Sequence, residues 1–147
     1  MKAAVLWDLN KELDVRDDVS LTDLGPGEVH VKIVSSGVCH SDVSAQNGTI
    51  PSGTPCVLGH EGAGIVKEVG AGVTEVAAGD PVILAFTPAC RTCKACLRGQ
   101  ANLCETMLQM AITPHFIVDG KQMGGMTGLG TFAEEMIIPE NAVVKVD

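Results

Sequence analysis

Tyrosine is absent from this sequence, tryptophan occurs once and phenylalanine three times. A core built from so few rings has to be aliphatic, with Val and Ile doing most of the filling. Cations are scarce as well. Ten Lys and Arg face eighteen acids, for a formal charge of −8 and an isoelectric point near 4.8. Contacts to a phosphate backbone need clustered Lys and Arg, so a nucleic-acid partner is excluded. No run approaches the roughly eighteen apolar residues of a membrane span. The opening "MKAAVLWDLNKELD" carries acids where a signal peptide would be continuously apolar. These absences point to a soluble cytoplasmic protein with neither nucleic acid nor membrane as partner.

A chain of 147 residues is one domain's worth and can bury a core without disulfides. Val- and Ile-rich runs recur between glycines at 2–7, 28–34, 63–69, 80–86, 134–139 and 142–146. In "EVHVKI", Val29, Val31 and Ile33 alternate with His30 and Lys32, the two-residue period of a half-buried strand. Turn signals such as "LGPGE" at 24–28 and "NGTIPSGTP" at 47–55 separate the runs. Only "SDVSAQN" at 41–47, with Ser41 as N-cap, and "ANLCETMLQM" at 101–110 suggest helix. The Gly- and Met-rich patch at 120–130 suggests a loop. The expected class is therefore mainly β, a barrel or sandwich with a few short helices.

Four of the six cysteines fall within fifteen positions, in "CRTCKACLRGQANLC" at 90–104. The C-x2-C-x2-C-x7-C spacing is too compact to staple distant segments, which favours metal over disulfide and a reducing compartment. Four thiolates complete a tetrahedral zinc shell and leave no position for substrate, so such a site is structural. Bacterial ferredoxins also begin C-x2-C-x2-C, but their fourth Cys follows after three residues and precedes Pro. Here Cys104 follows after seven and precedes Glu105. Zinc is the expected ion.

Two further segments, "GVCHSD" at 37–42 and "GHEGAG" at 59–64, each set one good zinc ligand, Cys39 or His60, beside glycine. Seen separately, each has an ordinary alternative, a small buried thiol or a satisfied histidine. Taken in order with "GHEGAGIVKEVG", "AGDPVI" and the four-cysteine lobe, they resemble the zinc-containing alcohol dehydrogenases of the medium-chain dehydrogenase/reductase family, over nearly the whole chain. The resemblance implies a GroES-like β-barrel catalytic domain spanning 1–147, with a structural-zinc lobe at about 88–106 and two zinc sites. Cys39 and His60 match the catalytic-zinc ligands, and Cys90, Cys93, Cys96 and Cys104 the structural-zinc ligands. Glu61 sits behind the metal as a transient ligand. Ser41 would accept the substrate hydroxyl's proton, and Asp42 would hold His60 in one tautomer. His40 would approach the cofactor's pyrophosphate. Phe86 would wall the substrate pocket, its alternative being an ordinary core aromatic. The implied partners are a small alcohol or aldehyde and, in the intact enzyme, NAD or NADP and further copies of itself.

Three features depart from the family. Its third catalytic-zinc ligand is a cysteine beyond the point where this chain stops. No Rossmann unit is expected, because "GLGTFA" at 128–133 is followed by Pro139 and a β-branched run where a helix should open. It is expected instead to be a flexible loop entering a strand. Many relatives have a histidine where this chain has Ser44, which cannot act as a base in the proton path. Cys56 and His115 fall outside the pattern and are expected to be structural. The expectation is thus a catalytic domain that is inactive without its nucleotide domain, or a nicotinoprotein; the alternative is a non-enzymatic GroES-like zinc-binding module.

Overall fold

The computed structural model describes residues 1–107 and 113–147. Their strands are β1 (Ala3–Leu6), β2 (Asp14–Arg16), β3 (Ser20–Leu21), β4 (Glu28–Ser36), β5 (Cys56–Val57), β6 (Gly62–Val69), β7 (Pro81–Leu84), β8 (Phe116–Val118), β9 (Lys121–Gly125), β10 (Glu135–Pro139) and β11 (Val143–Lys145). Two helices join them, α1 (His40–Gln46) and α2 (Lys94–Leu97). The strands form a six-stranded sheet in the order β2-β1-β5-β9-β8-β3 and a five-stranded sheet in the order β10-β4-β6-β7-β11. Among the described residues only β5 and β9 pair in parallel. No helix among the described residues is long and apolar enough to cross a membrane.

The alternation in β4 has its expected consequence. Val29 and Val31 are fully buried while Lys32 faces water. Each such valine stabilises the fold by about 1.5–3 kcal/mol relative to an exposed one. Val66 and Val82 on β6 and β7 and Met136 and Ile138 on β10 close the same core, and Phe116 is its only fully buried ring. The six strands expected from sequence are all present. Of the five that periodicity misses, β2, β3, β5 and β8 are only two or three residues long, little room for a period to register, and β9 lies in the glycine-rich patch.

Three local expectations need correction. The patch at 120–130 is not simply a loop: Lys121–Gly125 is a strand paired with β8 and β5, and the short 3-10 turn Met126–Gly128 follows it. Its glycines misled, because small residues there permit close backbone approach; a Cβ on Gly125 would lie 2.4 Å from the Leu129 carbonyl. In the stretch 101–110 a 3-10 turn covers Ala101–Leu103, Cys104 interrupts it, and helix begins again at Met107, so the expected single helix is broken at the cysteine. The part of that expectation falling on 108–110 lies outside the described residues. The string 128–133 does run as a loop into β10, as expected, but a packed one: Leu129 and Thr131 are buried and Ala133 bridges to Ala3 of β1.

His115 is buried, its Nδ1 3.1 Å from the Thr22 hydroxyl. Its Nε2 faces Glu28 Oε1 at 3.4 Å, outside hydrogen-bond geometry. Burial pushes the imidazole pKa down from its ordinary value, and Glu28 opposes that shift. A lowered folded pKa means the unfolded chain takes up the proton first as pH falls. The stability contributed by the neutral ring is therefore full above pH about 6.5 and is lost as pH falls through the folded value. Urea denaturation should show a lower midpoint at pH 5.5 than at 7.5, with a smaller difference in His115→Gln. An unchanged pH dependence in that variant would assign the effect to other groups.

Candidate functional site

Cys39 follows β4, where the chain leaves the sheet to begin α1. It is the N-cap of that helix: its backbone is extended, its sulfur accepts from Ser41 N, and Asp42 at the third helical position returns a carboxylate oxygen to Cys39 N. The expected cap, Ser41, lies two residues too late. The capping box has a cysteine in the place usually held by Ser or Thr, so the same geometry that starts the helix also fixes the sulfur.

Asp42 is buried and makes a second set of contacts. Its Oδ1 accepts from Gly59 N at 3.1 Å and lies 3.3 Å from His60 Nδ1. One carboxylate thus ties the segment carrying Cys39 to the segment carrying His60. With Nδ1 directed at Asp42, the other ring nitrogen is left as the ligand atom. His60 is buried and its ring meets Phe86 edge-on, centroids 5.7 Å apart at 80°.

The bend that presents His60 requires glycine. Gly59 has φ +92°, and a Cβ there would lie 2.5 Å from Thr131 Oγ1 and 2.6 Å from Phe132 N. On the facing segment a Cβ at Gly37 would fall 2.2 Å from Glu61 Oε2. The bare Gly37 backbone is therefore what allows the Glu61 carboxylate to lie over the Cys39 turn. Glu61 Oε1 is 4.0 Å from His60 Nε2. The ligand atoms of Cys39, His60 and Glu61 all lie within 4.8 Å of one another. Thiolate, imidazole and carboxylate together suit zinc and leave a position open.

Around this group the Ser41 hydroxyl is 3.5 Å from the Cys39 sulfur. His40 is exposed, with Nδ1 3.3 Å from Ser44 Oγ. Phe86 is 47% exposed, so it is not an ordinary core ring. A cavity of about 680 Å³ lies elsewhere, between α1 and β9, and includes Cys56. Burial pushes the Cys56 thiol pKa up, as suits an inert packing residue.

The second cluster is the lobe. Cys90, Cys93, Cys96 and Cys104 place their sulfurs within 4.8 Å of one another, and Cys90 Sγ to Cys96 Sγ is 4.0 Å. The edge of a tetrahedron with Zn–S near 2.3 Å is about 3.8 Å, so the set fits zinc. Backbone N–H groups point at the sulfurs: Cys93 N donates to Cys90 Sγ at 3.2 Å and Cys90 N to Cys104 Sγ at 3.3 Å. The Thr106 hydroxyl, followed by the amide and hydroxyl of Thr92, holds the Cys90 thiol down at about 5. The Cys104 thiol is also lowered, Thr106 again being the main cause. Burial, with neighbouring thiols, pushes Cys96 up to about 12. A cation that takes all four as thiolates resolves that conflict.

The model of the alcohol dehydrogenase GroES-like domain matches residues 25–147. The chain is 43% identical, over 151 aligned residues, to a putative alcohol dehydrogenase D of Mycobacterium tuberculosis, covering 99% of this chain and 41% of that protein. It is 42% identical to the class-3 alcohol dehydrogenase of Dictyostelium discoideum, covering 95% of this chain and 38% of that one. Among solved structures it resembles an alcohol dehydrogenase zinc-binding domain protein from Burkholderia ambifaria, with TM-score 0.90, 29% identity, and coverage of 99% of this chain and 41% of that one. It also resembles the benzyl alcohol dehydrogenase of Acinetobacter calcoaceticus, with TM-score 0.86, 29% identity and the same coverage. The chain therefore spans about two fifths of the length of these relatives.

Proposed function

The chain belongs to the alcohol dehydrogenase GroES-like domain family, and from that premise we propose that residues 1–147 form the catalytic domain of a cytoplasmic, zinc-dependent alcohol dehydrogenase. In this reading the whole enzyme passes a hydride between a small alcohol and NAD or NADP. The observation that carries the reading is the convergence of Cys39, His60 and Glu61, with Asp42 bridging the two segments that hold them.

Cys39 and His60 would hold a zinc ion, which would supply Lewis acidity that makes an alcohol hydroxyl far more acidic. The chain's own residues then have distinct tasks. Ser41, its hydroxyl beside the Cys39 sulfur, would accept the substrate's hydroxyl proton while passing its own on to water. Asp42 keeps the His60 ring in one orientation. Phe86 walls the alcohol pocket, because its half-exposed ring packs on His60 and still faces outward. Glu61, with Oε1 4.0 Å from His60 Nε2, would serve as a transient ligand. His40, exposed at the start of α1, contacts the cofactor's pyrophosphate. Ser44 replaces the base found in many relatives, so proton release runs through water. The four-cysteine lobe holds a second, structural zinc.

The residues described here do not fit a nicotinamide cofactor by themselves. The string at 128–133 leads into β10 rather than a helix, so it does not supply the helix N-terminus of a dinucleotide-binding turn. Joined to a nucleotide-binding unit, the chain is expected to form NADH or NADPH from primary alcohols, and Cys39→Ser to reduce the rate to background with one zinc fewer per chain. Turnover that survives Cys39→Ser would remove Cys39 from the catalytic ligand set, whereas no turnover in the parent with zinc at the lobe alone would leave a non-enzymatic zinc-binding module.

A further inference from the structure

Resting on that reading of the metal site, we infer that Thr131 and Ser36 are positioning residues that set the His60–Glu61 bend against Cys39. The bend runs from Gly59 to the start of β6 and carries two candidate ligands. Its backbone is held by segments remote in sequence. Gly59 O accepts from Gly130 N at 3.1 Å and Thr131 N at 3.0 Å, Leu58 O accepts from Phe132 N at 2.9 Å, and Glu61 O accepts from Gly37 N at 2.9 Å. The Ser36 hydroxyl also donates to Glu61 O, at 3.1 Å.

Ser36 Oγ and Thr131 Oγ1 are 2.7 Å apart. Either hydroxyl can donate between the two; with the Ser36 proton on the Glu61 carbonyl, nearer at 3.1 Å than Gly37 O at 3.5 Å, the Thr131 hydroxyl is the donor. The result is a directed relay from Thr131 through Ser36 to Glu61 O. Thr131 is 1% exposed, and its two branches are seated against the two glycines that bracket the ligands. A Cβ at Gly59 would lie 2.5 Å from Oγ1, and one at Gly62 would lie 2.7 Å from Cγ2. Ser36 immediately precedes Gly37, the residue over which Glu61 lies. The hydroxyl pair therefore clamps both ligand segments through Ser36 and Glu61, while Asp42 clamps them through Cys39 and Gly59. A methyl group would fill the same space as the Thr131 hydroxyl but could not aim the Ser36 proton.

The test uses the 147-residue chain with its four-cysteine lobe first filled by one equivalent of zinc. Cobalt(II) is then titrated and the thiolate-to-cobalt absorption followed. Thr131→Val and Ser36→Ala should each weaken cobalt binding roughly tenfold, the low end of what losing an outer partner of a metal site costs. Thr131→Ser, which keeps the hydroxyl, should stay within about twofold of the parent by the same measure. Far-UV circular dichroism and zinc at the lobe should not change. Parental cobalt affinity in Thr131→Val and Ser36→Ala, or equal weakening in Thr131→Ser and Thr131→Val, overturns the inference alone. If Cys39→Ser leaves the cobalt absorption untouched, the metal site itself is wrong and both readings fall.

Discussion

Cys104→Ser is expected to remove one zinc per chain and to disorder residues 90–104 while leaving the barrel folded. Among the described residues little else is seen to hold the lobe. Its helix α2 is four residues long, buries none of them and lacks a side-chain cap. Leu97 and Leu103 are 75% and 60% exposed, and of the lobe's cysteines only Cys104 is buried. Its polar ties to the barrel include the exposed Arg91–Glu75 ion pair and a bond from Asn141 Nδ2 to Ala89 O at 3.2 Å. An exposed pair contributes at most about 1 kcal/mol, whereas structural zinc binds small peptides with roughly 10–16 kcal/mol, much of it expressed as folding. Metal analysis and limited proteolysis give the answer: cleavage should appear within 90–104 and spare the strands. A variant with parental zinc content and an intact lobe would show that Cys104 is not a ligand.

Asp42→Ala is expected to have the largest effect on the barrel itself. Removing the carboxylate leaves Cys39 N and Gly59 N without their acceptor and His60 Nδ1 without its partner. Each buried donor left unsatisfied costs about 1–3 kcal/mol. A combined loss of about 3 kcal/mol would lower Tm by roughly 6–12 °C in a domain of this size. Cobalt binding at Cys39 and His60 should fall further than in Thr131→Val, because Asp42 touches a ligand side chain directly. Thermal melts and the same cobalt titration measure both effects. A melt within about 2 °C of the parent, less than 1 kcal/mol is expected to produce, would mean that water or another side chain takes over the carboxylate's bonds.

What the sequence determined by itself was set by short-range physics. Fifteen consecutive residues with four cysteines can hardly avoid bringing the sulfurs together, and 90–104 does so. The alternation of Val29 and Val31 with His30 and Lys32 orients β4, since side chains on a strand face opposite ways in turn. The motif resemblance named the family because the glycines, cysteines and histidine of "GVCHSD" and "GHEGAG" stand in a fixed order. The tertiary structure decided everything that depends on segments meeting. Cys39 and His60 converge because β4 pairs with β6 and Asp42 spans the gap. Gly37 matters for the space it leaves to Glu61, which no local pattern displays. Strands of two or three residues such as β3 and β5 exist because a neighbour supplies their hydrogen bonds, not because their own residues demand it. The Ser36–Thr131 contact joins positions 95 apart; two hydroxyls carry no periodicity, charge or spacing by which a reader of sequence could find them.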